Sequence, residues 1–355
     1  MCPMSCPPRW RRPSAAMVGL LLLLTAGCSG SGASAPAADG GGPKVPLTYL
    51  PAGGAGGRLG EPRLQATVRI GSRPVNLLVD TGSTGLKVLA SAVGSGDATP
   101  TGATGSSSYL SGLQIGGREA RATLRLGDVT ADNQSILLVD SLACTAQVPN
   151  CEAAHGRTPE EFGGVFDGIL GIGVAERDQG VRGCCTNPML GFTSNGAFTV
   201  HFDEHHPELA LDPDRKTLNR YRTVSLRQSA PMQACLTVSS VLSTQCAPVV
   251  FDTGTPTLAL EAPRLEGPAA DRLIGGGIVD TFGEQVTFDV AAAGWTWTYR
   301  MPREKDPQQA LNALSTPLLG YGRQPSSVIL AGLPAFTRVD VLYDLRGGRI
   351  GLAPR

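Results

Sequence analysis

The chain has 355 residues, 41% hydrophobic and 17% charged, enough to bury one large core or two ordinary ones. With 30 basic and 30 acidic residues the formal net charge is +0, which gives no support to a nucleic-acid partner. The 46 glycines and 27 prolines, with Val, Thr and Leu in short runs, argue against a helical protein and predict turn-rich β structure.

In chain order, Arg9, Arg11 and Arg12 precede an apolar run from Ala15 to Thr25 that closes on Ala26-Gly27-Cys28, the layout of an export signal. The run is too short to span a bilayer. Residues 1–28 resemble a bacterial lipoprotein signal in which Cys28 would be lipidated and become the mature N-terminus, although Thr25 stands where that motif usually has leucine. The resemblance implies an exported protein, lipid-anchored in the bacterial cell envelope, with Ser29 compatible with outer-membrane delivery facing the periplasm or the surface. Residues 29–60 are rich in Gly, Ala, Ser and Pro, apart from Val45 to Leu50, and predict a flexible tether.

Six cysteines remain beyond Cys28: Cys144, Cys151, Cys184, Cys185, Cys235 and Cys246. An even set suits disulfides in an oxidising compartment. Cys144 with Cys151, and Cys235 with Cys246, could close small loops, while adjacent Cys184 and Cys185 could bond to each other or elsewhere; spacing leaves the connectivity open. There is no paired C-x-x-C motif, and His201, His205 and His206 fall in a strand and a Pro-bounded loop, so neither a metal nor a cofactor is expected.

The body opens with a strand from Leu64 to Ile70, a turn at Gly71-Ser72-Arg73-Pro74, and an apolar run from Val75 to Val79 that ends in Asp80-Thr81-Gly82-Ser83. A Gly/Ser/Thr-rich loop is expected from Val93 to Ser108. The glycines of Tyr109-Leu110-Ser111-Gly112-Leu113-Gln114-Ile115-Gly116 then suit a hairpin tip. Beyond it Ala122, Leu124 and Leu126 alternate with Arg121, Thr123 and Arg125. Asp167-Gly168-Ile169-Leu170-Gly171 reads as a buried strand, and Phe198 to Phe202 as the last strand of a first half spanning residues 61–204.

Residues 205–355 repeat the plan. Strands near Tyr221 to Leu226 and Cys235 to Val241 lead into Val249 to Phe251, which ends in Asp252-Thr253-Gly254-Thr255. Trp295, Trp297 and Tyr299 alternate as a sheet face. A helix is expected at Pro307 to Leu314. Val328 to Gly332 should then stand to Asp252 as Gly168 to Gly171 stands to Asp80. The two acids lie 172 residues apart on matching turns, so the halves can bring them to one face. Two carboxylates within hydrogen-bonding distance cannot both ionise cheaply, so they share a proton and can activate a water between them.

The two acid loops, the Tyr-x-Ser-Gly-x-x-x-Gly run, Asp-Gly-Ile-Leu-Gly and the ending from Asp344 to Ala353 occur here in the order found in the pepsin-like aspartic peptidases, and roughly residues 62–354 resemble that family. The resemblance implies an all-β, bilobal acid protease fold with a central cleft, acting as an aspartic endopeptidase and, with its cleft internally duplicated, working as a monomer. It also implies that Asp80 and Asp252 are catalytic and that Thr81 and Thr253 bond across to the opposite lobe. Ser83 and Thr255 would bond the outer carboxylate oxygens, supported by Gly82 and Gly254. Tyr109, with Ser111 and Gly112, would form a flap over an extended peptide or protein substrate. Lys87 departs from the family, standing where a tryptophan usually supports the flap tyrosine.

Two other classes compete. A pepsin-fold binding lipoprotein without turnover is motivated by the flap departure and opposed by retention of both acid loops. A dehalogenase-type phosphatase loop at Val249 to Thr255 would need an acid two residues after Asp252 or a lysine inserted after it, and Gly254 and Thr253 occupy those places.

Overall fold

The computed structural model describes residues 41–57, 59–174, 184–226, 231–262, 267–275, 278–301, 319–321 and 326–355. The export signal, Cys28, most of the tether and the helix expected at Pro307 to Leu314 lie outside these. Helices among the described residues are single turns, and none is long and apolar enough to cross a membrane.

Among the described residues the strands form three sheets. An eight-stranded sheet carries the first half, in the spatial order Thr48–Leu50, Arg63–Ile70, Arg73–Asp80, Gly168–Ile172, Thr84–Leu89, Val129–Cys144, Leu113–Leu126 and Ala98–Ser108. A nine-stranded sheet carries the second, centred on Leu258–Glu261, Val328–Ala331, Leu242–Phe251 and Gln233–Val238. The long strand Leu113–Leu126 shows why period-2 patterning works: Ala120, Ala122, Leu124 and Leu126 are buried, while Arg121, Thr123 and Arg125 between them are exposed.

A six-stranded sheet belongs to neither half alone. Ala197–His201 and Glu208–Leu211 come from the middle of the chain and Lys44–Pro46 from near its start; Arg222–Ser225, Val339–Asp344 and Arg349–Pro354 come from the second half. Pairing of Phe198 with Tyr343, whose rings stack at 5.1 Å, closes the halves onto one another. Phe198, Tyr343 and Phe251 belong to a single apolar core that continues through all three sheets. A smaller core of Leu59, Leu78, Leu113, Ile115, Leu137, Phe162, Phe166 and Ile169 lies on the other side of the first half's sheet.

Two sequence expectations are corrected. The stretch from Val93 to Ser108 is not all loop, since Ala98–Ser108 is a strand paired with Leu113–Leu126. It carries no apolar alternation because it is the edge strand and is exposed on both faces along most of its length. The tether also ends early. Val45 is buried opposite Leu209, and Thr48–Leu50 pairs with Arg63–Gln65, so main-chain hydrogen bonds order a segment whose composition reads as linker.

Candidate active site

Each acid sits at the end of a strand that has a parallel neighbour beside it. Arg73–Asp80 runs parallel to Gly168–Ile172, with Asp80 opposite Gly171, and the chain then returns antiparallel on the far side of the same strand as Thr84–Leu89. In the second half Leu242–Phe251 runs parallel to Val328–Ala331 and returns as Leu258–Glu261. Each acid loop therefore arches over the end of a middle strand, which requires close backbone approach. A Cβ on Gly171 would lie 2.7 Å from the Gly85 carbonyl oxygen, and one on Gly332 would lie 2.1 Å from that of Thr257.

The loops are locked to each other by four buried hydrogen bonds. The Thr81 hydroxyl donates to the Phe251 carbonyl at 2.8 Å and accepts from the Thr253 N–H at 2.9 Å. The Thr253 hydroxyl donates to the Val79 carbonyl at 2.7 Å and accepts from the Thr81 N–H at 3.1 Å. The two threonines are 3% and 0% exposed, so their bonds do not compete with water. Tyr343 adds a fifth contact, donating to the Phe251 carbonyl at 2.9 Å.

This lock brings the two carboxyls together. Oδ1 of Asp80 accepts from the Gly82 and Ser83 N–H groups at 2.8 and 3.1 Å, and Oδ2 accepts from the Ser83 hydroxyl at 2.5 Å. Asp252 repeats the pattern, with Gly254 N–H on Oδ1 at 2.8 Å and the Thr255 hydroxyl on Oδ2 at 2.6 Å. The glycines show how close the halves come: a Cβ on Gly82 would lie 2.5 Å from the Asp252 carboxyl carbon, and one on Gly254 would lie 2.9 Å from Oδ1 of Asp80. Burial pushes the Asp252 carboxyl up to about 7, and the Asp80 charge and a hydrogen bond with the Asp80 carboxyl add to that rise.

The pair lies in a cleft of about 1390 Å³ whose walls come from both halves. The hairpin tip hangs over it. Tyr109 N–H donates to the Leu113 carbonyl and Gly112 N–H to the Tyr109 carbonyl, both at 2.9 Å, while the Ser111 hydroxyl accepts from Leu113 N–H at 3.4 Å. Gly112 has φ +87°, a left-handed conformation that favours glycine, and its Cα backs onto Val148 so closely that a Cβ would meet Val148 at 2.3 Å. Val148 belongs to the loop closed by the Cys144–Cys151 disulfide; Cys235 and Cys246 are bonded, and so are Cys184 and Cys185. The Cys184–Cys185 pair lines the cleft between the acid loop and the hairpin, its Cys185 against Gly85 and its Cys184 against Gly105.

Lys87 fills the space beneath Tyr109. It is 1% exposed, its Nζ lies 5.9 Å from the centroid of the Tyr109 ring, and it donates to the Thr84 carbonyl at 2.6 Å and to the Ser83 hydroxyl at 3.3 Å. Burial lowers its ammonium to about 8, against the opposing pull of Asp80.

These main-chain paths, the mutual lock and the bilobal cleft match a solved architecture. The crystal structure of aspartic proteinase from Irpex lacteus superposes with a TM-score of 0.57 and 18% identity, covering 88% of this chain and 97% of that one. The chain has the pepsin-like fold. At that identity the likeness establishes the fold and not the activity. A family described as "Protein of unknown function (DUF3443)" matches residues 74–193, which hold the first acid loop, the hairpin tip and the Gly168–Ile172 strand. No curated protein matches the chain.

Two residues at this pepsin-like site escaped the sequence reading. Arg63, 7% exposed, lines the cleft, reaches the Gly254 carbonyl at 3.5 Å and pairs with Glu61 and Glu160. Tyr343 stands one residue before the Asp344 to Ala353 ending and carries no motif of its own. An arginine beside one leucine and a tyrosine in a β run carry no local sign of a site; only the fold takes them there.

Proposed function

We propose that the chain is an aspartic endopeptidase that hydrolyses peptide bonds through the Asp80–Asp252 pair. One observation carries the reading: two carboxyls, each held by a main-chain N–H and a hydroxyl from its own loop, face each other on the floor of a cleft built by both halves. A pair at that distance keeps one proton between them over a broad pH range. The ionised member takes a proton from a bound water as that water attacks the peptide carbonyl. The protonated member donates to the developing oxyanion and later to the leaving nitrogen.

The remaining residues divide the work. Thr81 and Thr253 hold the two loops in fixed register, so the carboxyls need no reorganisation during the reaction. Tyr109, on a hairpin tip that packs at Gly112 against Val148 of the Cys144–Cys151 loop, covers the middle of the cleft. The adjoining strand offers main-chain groups to an extended peptide.

The test is digestion of a denatured protein across pH 3 to 7 by the purified protein and by its Asp80→Asn and Asp252→Asn variants. Each substitution should lower kcat by about 10² to 10⁴-fold, the usual worth of a positioned acid or base. Cleavage at an undiminished rate in either variant would overturn the shared-proton mechanism. No cleavage by the unmodified protein would instead favour a binding protein of this fold.

A further inference from the structure

A line of polar atoms runs from the buried lysine to the first acid. Lys87 Nζ has no acceptor lone pair, so it can only donate, and it lies 3.3 Å from the Ser83 hydroxyl oxygen. That hydroxyl has a single hydrogen. With its oxygen taken by the ammonium, the hydrogen points to Oδ2 of Asp80, 2.5 Å away. Oδ1 of Asp80 already accepts two N–H groups. Both oxygens of Asp80 are thus acceptors, and the donor at the head of the line carries a full charge in a site closed to water. Thr255 makes the matching contact to Asp252, and among the described residues no lysine stands behind it. Arg63 reaches the Gly254 carbonyl of the second acid loop at 3.5 Å, but among the described residues only the hydroxyl that holds Asp80 is itself hydrogen-bonded by a cation.

We propose that Lys87 is a positioning residue for the carboxyl pair: acting through the Ser83 hydroxyl, its ammonium makes Asp80 the ionised member and Asp252 the proton holder, and draws the working pH range downward. This rests on the peptidase reading of the same site. A positive charge favours every more-ionised state of the pair, so both the acid and the alkaline limb move to lower pH. The groups that face Lys87 are few. Asp80 lies beyond Ser83 and the Tyr109 ring covers it from the hairpin, while its partners across the sheet are Leu137 and Ile169. Glu161, in the turn Glu160–Gly164, bears on Tyr109, and Asp252 lies beyond Asp80. None of these supplies a second cation.

The experiment compares the unmodified protein with Lys87→Met, which keeps an apolar stem without charge, and Lys87→Gln, which keeps a donor for Ser83 without charge. Two readouts are taken on each: the pH dependence of kcat/KM on a peptide, and carboxyl-carbon NMR titration of Asp80 and Asp252. Both limbs, and both carboxyl transitions, should rise by about one pH unit or more in either variant, the usual effect of losing an opposite charge a few ångströms away. Limbs and transitions that coincide with the unmodified protein, whatever happens to kcat, would overturn the proposal and leave the peptidase reading standing. Carboxyl transitions that move in a protein that cleaves nothing at any pH would sink the peptidase reading and leave the lysine's role intact. If Lys87→Met does not fold, Lys87→Gln alone decides between these outcomes.

Discussion

Two buried threonines four residues apart allow the lock between the halves to be weighed. Thr253 and Thr257 are both 0% exposed, but the Thr253 hydroxyl makes two hydrogen bonds across to Val79 and Thr81 and the Thr257 hydroxyl makes none. Replacement by valine exchanges a hydroxyl for a methyl of similar size at each site. At Thr253 it removes two bonds worth about 1 kcal/mol each, and the stranded Val79 carbonyl and Thr81 N–H add to the loss, for a total of about 3 kcal/mol. At Thr257 the same change relieves a hydroxyl that was buried without a partner, so stability should hold or rise by up to about 1 kcal/mol. Urea denaturation of Thr253→Val and Thr257→Val, read by both tryptophan fluorescence and circular dichroism, measures the difference directly. Thr253→Val should also lower kcat, because the acid loops lose their common anchor. Equal costs at the two positions would show that the lock adds nothing beyond packing, and the account of how the carboxyls are held would fail.

Gly82→Ala should leave the protein folded and lower kcat/KM by about 100-fold or more, because its Cβ would lie 2.5 Å from the Asp252 carboxyl carbon and must push that group aside. Unchanged kinetics with an unchanged melting temperature would mean that the carboxyls tolerate displacement. The pH dependence of stability follows from the raised Asp252 carboxyl. In the unfolded chain it titrates near the ordinary value of about 4, and in the folded protein near 7, so the folded state holds the extra proton between these values. The contribution is fully present below about pH 4 and is lost as pH rises toward about 7. Denaturant titrations at several pH values should therefore show the unmodified protein losing stability relative to Asp252→Asn as pH rises from about 4 to about 7, and a difference that stays constant would refute the assignment.

How much could be read beforehand differs from element to element. The acid loops were legible because a buried strand followed by Asp-Thr-Gly is a local pattern, and it occurs twice. The hairpin of Tyr109 was legible through its glycines and through the alternation in Leu113–Leu126. The edge strand Ala98–Ser108 was not, since a strand wet on both faces needs no apolar residue and its small polar composition matches that of a loop. Lys44–Pro46 and Thr48–Leu50 were hidden for a related reason: main-chain pairing with distant strands orders them, and composition does not record main-chain partners.

Short-range chemistry, written in residue types and spacing, decided for itself the duplicated acid loops, the all-β class, the small-loop disulfide candidates and the position of the hairpin tip. Tertiary structure decided which atoms share a space: that carboxyls 172 residues apart in sequence meet on the floor of one cleft, that Cys184 and Cys185 bond to each other at the cleft wall, and that a lysine lies under a tyrosine ring and not in water. The reason is physical. Hydrophobic periodicity reports which face of a strand is buried, whereas the partner on that face, and the charge it carries, is set by how two sheets and the sheet between them close over a common core.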